Sequence, residues 1–162
     1  MSRTDLAWLA VAAYALHIME ERFLDWLSSA RRSIDLVIEQ ENYRVAEATF
    51  IILGAVSAMV AGSMPLLALS FAAFLLINAI YFHIWPTIRM GQYSPGLITS
   101  VFFFLPLAWL QFRLVPLPPQ DWVLPIIIGG ALILSPMALM YMRGTSVAGG
   151  GGGTPKARRG RK

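Results

Sequence analysis

Charged positions along this chain are bunched, and the apolar stretches between them are long. Residues 48–88 hold no Asp, Glu, Lys or Arg over 41 positions. As a single helix rising about 1.5 Å per residue they would run ~60 Å, about twice the thickness of a bilayer core. The run must therefore fold back. Gly62-Ser63-Met64-Pro65 supplies the break, since Gly ends helices and Pro starts them. The pattern predicts two helices, 45–62 and 65–85, joined by a tight hairpin. Two further uncharged runs predict spans at 94–112 and 122–142, the second bent by Pro125, Gly129-Gly130 and Pro136. Between them Val115-Pro116-Leu117-Pro118-Pro119 is a stiff turn, because repeated Pro cannot continue a helix. Trp85, Trp109, Trp122 and Tyr141 fall near the expected span ends, where amphipathic rings favour the headgroup layer.

The first span differs from the others. Leu6 to Leu16 is wholly apolar, and His17, Glu20, Glu21, Arg22 and Asp25 then follow within the same expected helix. A cleaved signal peptide would have a similar apolar core, but the stretch before it, with Arg3 against Asp5, is barely basic. The reading is an uncleaved helix over 5–27 that is polar on one side of its second half. In the long 22–44 connection Phe23, Leu24, Trp26 and Leu27, then Ile34, Leu36, Val37 and Ile38, alternate with charges, as in an interfacial segment lying on a leaflet.

Composition agrees with a membrane bundle: 57% of the 162 residues are hydrophobic, 14% are charged and the mean hydropathy is +0.61. A soluble domain is ordinarily about 25% charged. With no cysteine the chain has no disulfide framework and no thiolate chemistry. The fold expected is an all-α integral membrane bundle of five transmembrane helices over 1–145, followed by a disordered Gly-rich basic tail over 146–162. The basic pI reflects that tail and not a nucleic-acid-binding face. Five spans put 11 basic residues on the side of the C-terminus and two, Arg3 and Arg113, on the other. The positive-inside rule then places the N-terminus outside and the C-terminus in the cytoplasm, as in a multi-pass inner-membrane protein. The tail is either a polybasic segment that contacts anionic lipid or an expression scar.

Ionisable residues at membrane depth are costly, so those present are informative. His17, Glu20 and Glu21 stand at i, i+3 and i+4 and share one helix face. Glu47 opens the second helix, and Asn78 and His83 lie in the last turns of the third, just before Arg89, Tyr93 and Ser94. The topology delivers all of them to the cytoplasmic leaflet. Imidazole and carboxylate ligate Zn or Fe, so His17, Glu20, Glu21 and His83 are the candidate metal ligands. Glu20, Glu21, Glu47, Asn78 and Tyr93 are the candidates for acid/base and orienting roles. The bland alternatives are headgroup ion pairs for Glu20, Glu21 and Glu47 and a satisfied interfacial His83. Gln92-Tyr93-Ser94-Pro95-Gly96 is by itself an ordinary turn and helix start.

His17-Ile18-Met19-Glu20-Glu21 resembles the signature of the HXXEE family of small bacterial multi-pass membrane proteins. The likeness continues through Asn78-Ala79-Ile80-Tyr81-Phe82-His83, Thr87-Ile88-Arg89 and Tyr93-Ser94-Pro95-Gly96-Leu97-Ile98-Thr99, and covers residues 5–112. Here the Asn…His element is one residue longer than is usual in that family. The resemblance implies a membrane location and picks out His17, Glu20, Glu21, Asn78 and His83, but it implies no reaction. Intramembrane CAAX-type proteases offer an analogy, with a Glu-Glu pair on one helix and His and Asn on later ones. Their arginine lies further from the pair than Arg22, and their second histidine helix is missing here.

The function expected is an enzyme, a hydrolase or isomerase possessing a His/Glu pocket in the cytoplasmic leaflet. Its substrate would be a lipid or other hydrophobic small molecule, with a divalent metal, Zn or Fe, as the cofactor the set can hold. No Walker loop, dinucleotide fingerprint or Gly-x-Ser-x-Gly elbow is present. Two rivals stand beside it: a small proton-coupled transporter, and a haem protein with His17 and His83 as axial ligands.

Overall fold

The computed structural model describes residues 1–34, 39–115 and 117–149, and these form helices and connecting turns with no strand. Helix α1 (Arg3–Phe23) begins in a capping box, where Ser2 and Asp5 each satisfy the other's backbone N–H. It ends earlier than expected because Asp25 adopts the left-handed conformation (φ 53°) and caps α2 (Trp26–Ser33) through the Ser28 N–H. In α2, Trp26 and Ala30 are buried while Arg31 and Arg32 point outward. This helix occupies part of the segment expected at the interface. Leu36, Val37 and Ile38, assigned to that segment, lie outside the described residues, as does Pro116 of the stiff turn.

Helix α3 (Gln40–Met59) starts five residues before the expected position. The hairpin follows where Gly62 and Pro65 put it, and Pro65 opens α4 (Pro65–Asn78). The rod then continues through a π-helical turn (Ala79–Ile84) into α5 (Trp85–Met90), which Gly91 ends at φ 63°. After the 91–96 turn comes α6 (Leu97–Thr99), a second π-helical turn (Ser100–Phe104) and α7 (Leu105–Leu114). A 3₁₀ turn (Pro119–Trp122) leads into α8 (Val123–Gly149). The helix thus passes the expected tail boundary at 146, and residues 150–162 of the tail lie outside the described residues.

Both π turns have one cause, which the hydropathy pattern did not reveal. Pro86 and Pro106 each sit inside a continuous rod and cannot donate the i→i−4 hydrogen bond. The backbone preceding each proline shifts to i→i+5 bonding. The carbonyl of Phe82, deprived of the Pro86 donor, accepts instead from the Ser94 hydroxyl at 3.2 Å.

Helix α4 is the central rod, and Leu69 to Leu75 are buried on every face. Gly129 of α8 lies against the α4 backbone, where a Cβ would fall 2.6 Å from the Phe74 nitrogen. The interior combines alanines with a ring cluster of Tyr14, Phe50, Phe71, Phe74 and Phe104. Large apolar side chains cover much of the outside, among them Leu16, Ile52, Met59, Ile88, Phe102 and Trp109. Two rods are long and apolar enough to cross a membrane, Pro65–Met90 and Leu97–Leu114, with a shorter apolar helix at Gln120–Pro136. The five spans expected reduce to these two on length and composition. Helix α1 carries its charges at both ends, and Arg44 and Glu47 dilute the start of α3.

Candidate functional site

The end of α1, the start of α3, the end of α4 and the 91–96 turn all meet at one end of the bundle. His17 and His83, 66 positions apart in sequence, are both fully buried with ring centroids 4.7 Å apart, edge to face. Glu21 Oε1 lies 3.3 Å from Nε2 of each ring. The three ligating atoms fall within 4.8 Å of one another.

Tautomers follow from the hydrogen bonds. Thr99 has one hydroxyl hydrogen, and its shortest acceptor is Glu20 Oε2 at 2.6 Å. The Thr99 oxygen, 2.7 Å from His17 Nδ1, therefore accepts, and His17 Nδ1 is the donor. Ser94 likewise directs its hydrogen to the Phe82 carbonyl, so at 3.5 Å it accepts from His83 Nδ1. With Nδ1 of each ring committed to a hydroxyl, both Nε2 atoms face Glu21 Oε1. The second oxygen of Glu21 accepts from the Tyr43 hydroxyl at 2.5 Å. Each inward-facing atom is thus oriented by a hydrogen bond on the far side of its own group, the pattern that fixes ligands around a metal. Two ring nitrogens and one carboxylate oxygen that converge in this way can share a proton or hold a cation. Such a His₂-carboxylate set suits Zn or non-haem Fe and leaves coordination positions open.

The extra residue between Asn78 and His83 is absorbed by the first π turn. In an α-helix, at ~100° per residue, positions i and i+5 point ~140° apart. The wider π turn over Ala79–Ile84 returns them to one face. His83 meets His17, and Asn78 Nδ2 lies 3.4 Å from His17 Nε2.

Glu20, expected among the ligands, is outside this group because all its acceptor positions face another helix. It accepts from the Ile98 N–H at 3.2 Å, the Thr99 N–H at 2.8 Å, the Thr99 hydroxyl and the Tyr93 hydroxyl. A carboxylate held on free N–H groups caps the helix that begins at Leu97. Glu20 thereby acts on His17 only through Thr99. Tyr93 is half-exposed at the rim, and its tie to Glu20 places it away from the converging atoms. Partial burial and the neighbouring Glu20 carboxylate both push the Tyr93 phenol well above its ordinary value. Glu47 is 3% exposed; its Oε2 accepts from Arg22 Nη2 at 2.6 Å and Nε at 3.2 Å, while Oε1 has no partner.

Four participants had no role in the sequence reading. Tyr43 stands one helical turn before Glu47, and that i, i+4 spacing was the available signal. Thr99 and Ser94 belong to the Tyr93–Thr99 stretch but carried no chemistry on their own. Gly96 is the strongest case. Its φ is 92°, and a Cβ there would fall 2.5 Å from His83 Cε1 and 2.7 Å from His17 Cε1. The turn glycine is therefore also the floor beneath both imidazoles. With the rings in edge contact and Gly96 against both, no slot for a macrocycle separates them, and the bis-His haem arrangement does not fit.

Residues 8–110 match the family model described as a protein of unknown function with HXXEE motif. The chain belongs to the HXXEE family. In this member the motif's His17 and Glu21 enter the converging group, and Glu20 supports it from outside. No curated protein and no solved structure matches the chain.

Proposed function

We propose that this HXXEE protein is an integral membrane metalloenzyme whose ion is held by His17, His83 and Glu21. The observation that carries the reading is the convergence of three lone-pair atoms within 4.8 Å, each oriented from behind by Thr99, Ser94 or Tyr43. The ion would supply a Lewis acid or activate water. Glu47, buried beside the group with one free oxygen, would take or return a proton, and Asn78 would orient the bound species. Hydrolysis or isomerisation of a hydrophobic molecule is the chemistry these residues can serve.

A bundle of five spanning helices in the inner membrane accounts for two features. Large apolar side chains cover the outside as well as filling the interior, which water disfavours and lipid accommodates. The 11-to-2 basic asymmetry favours an outside N-terminus and puts the site in the cytoplasmic leaflet. Elemental analysis of detergent-purified protein tests the metal, with about one Zn or Fe per chain expected. Wild type and His83→Ala both metal-free after loading and desalting would refute it. A reporter fused after Arg143 should behave as cytoplasmic, and periplasmic activity would reverse the topology.

A further inference from the structure

A cleft runs between α3 and α8 with α4 as its floor, and it ends at the Glu21 group. Its volume is about 80 Å³, a narrow space suited to a slender chain. Tyr14, Phe50, Phe74, Phe82 and Ile133 make most of its wall apolar. Glu21, Glu47, Asn42, Tyr43 and Asn78 make the rest polar, and among the described residues no Lys or Arg lines it. On the other side of Glu21 lies a second pocket of opposite character, lined by Arg22, Asp25, Gln40 and Arg44. Glu21, Trp26 and Tyr43 line both and form the partition.

We propose that the cleft binds the hydrocarbon chain of an uncharged membrane amphiphile whose polar end carries a hydroxyl or amide N–H. This rests on the metalloenzyme reading of the same site and gives it a substrate class. The chain lies along the aromatic wall, where apolar surface leaves lipid or water at no polar cost. The polar end reaches Glu47, whose buried Oε1 lacks a donor. An unpartnered buried acceptor is costly, and a ligand donor removes that cost. A phosphate or carboxylate head brings only acceptors and would leave Glu47 Oε1 without a donor, so a head with a hydroxyl or amide N–H is preferred over an anionic one. The polar pocket supplies water and ions to Glu21 from the other side, so substrate and water arrive by separate routes.

The test uses the full chain in phosphatidylcholine nanodiscs, titrated with a medium-chain 1-monoacylglycerol and with the fatty acid of the same chain length. The two probes are compared by native mass spectrometry in the presence of chelator, and zinc uptake is read in a separate titration with Zn²⁺. The monoacylglycerol should bind at least about tenfold more tightly than the acid, the weight of one good buried hydrogen bond. Glu47→Leu should abolish that preference. Ala46→Phe on α3 and Ile133→Trp on α8 each fill the cleft and should weaken binding about tenfold or more while the thermal transition is kept. Equal affinity for the two probes, a preference for the acid, or unchanged binding in both cleft-filling variants that fold would overturn the proposal. Zinc uptake without monoacylglycerol selectivity would reject the cleft and leave the metal site. Selective binding without zinc uptake would reject the metal and leave the cleft.

Discussion

The two ends of the bundle solve the packing problem in opposite ways. At the hairpin end, Ala7, Ala58, Ala61 and Ala68 form a cluster in which the helices approach closely, and the residues are almost wholly buried. At the other end, rings and polar groups hold the helices apart. Trp26 stacks on Tyr43 at 5.2 Å, His17 packs on Phe104 at 4.5 Å, and a cleft remains between α3 and α8. Small side chains maximise backbone contact but offer no chemistry. Bulky and polar side chains sacrifice contact and create a place for a ligand. The difference teaches that small side chains give the hairpin end close helix contact, whereas the site end carries the exceptions to good packing: two π turns, a positive-φ glycine against two rings, and a buried carboxylate oxygen without a donor.

The comparison can be broken most decisively at the ligands. His17→Ala or His83→Ala removes one of three metal-facing atoms and should lower Zn²⁺ affinity by at least about 100-fold, measured by competition with a chromogenic chelator. Comparable affinity in both variants would dissolve the distinction between the ends. Gly96→Ala comes next. The new Cβ cannot share space with both imidazoles, and φ of 92° strains any L-residue. It should cost about 1–3 kcal/mol in stability and about tenfold in metal affinity. If calorimetry and metal titration leave it indistinguishable from wild type, the glycine floor is not a constraint.

The opposite end supplies the matching control. Ala58→Leu inserts three heavy atoms where the residue is 0% exposed, and should cost about 1–3 kcal/mol with metal affinity unchanged within about twofold. A parallel loss of metal binding would show that the ends are coupled. The smallest effect expected is Tyr93→Phe, about 0.5 kcal/mol, since the hydrogen bond to Glu20 is at a half-exposed rim. Because the phenol's proton is held more tightly in the folded chain than in the unfolded one, this contribution is complete below the unfolded value of about 10. It should fade as pH rises through the folded value. A wild-type minus variant stability difference that grows with alkaline pH would contradict the assignment.

Much of the site was legible because ionisable residues in apolar runs are few and their positions along the helices are easily counted. His17, Glu21, Asn78 and His83 meet at one end of the bundle, consistent with the i, i+4 face of the first helix and with their places near helix ends. Glu20 and Glu21 are not separable in sequence because adjacent carboxylates look equivalent there, yet at about 100° per residue they face different neighbours. Glu20 faces the free N–H groups of Ile98 and Thr99, which anchor it outside the group. The spacing of Asn78 and His83 looked one residue too long until the proline after it is taken into account. Pro86 and Pro106 were the visible signals for both π turns, and hydropathy alone does not register them.

The sequence by itself determined that this chain is helical, that it turns back at Gly62–Pro65, and that its polar residues gather at one end, because charge spacing, Gly and Pro act locally. Tertiary structure alone decided which carboxylate enters the site, which nitrogen of each imidazole faces inward, and that a glycine supports both rings. Those depend on contacts such as His17 with Thr99, across 82 positions of chain, and on how closely neighbouring helices approach. No local pattern of residue types encodes the distance between two helices, so the partner of a buried polar group is settled only when the bundle closes.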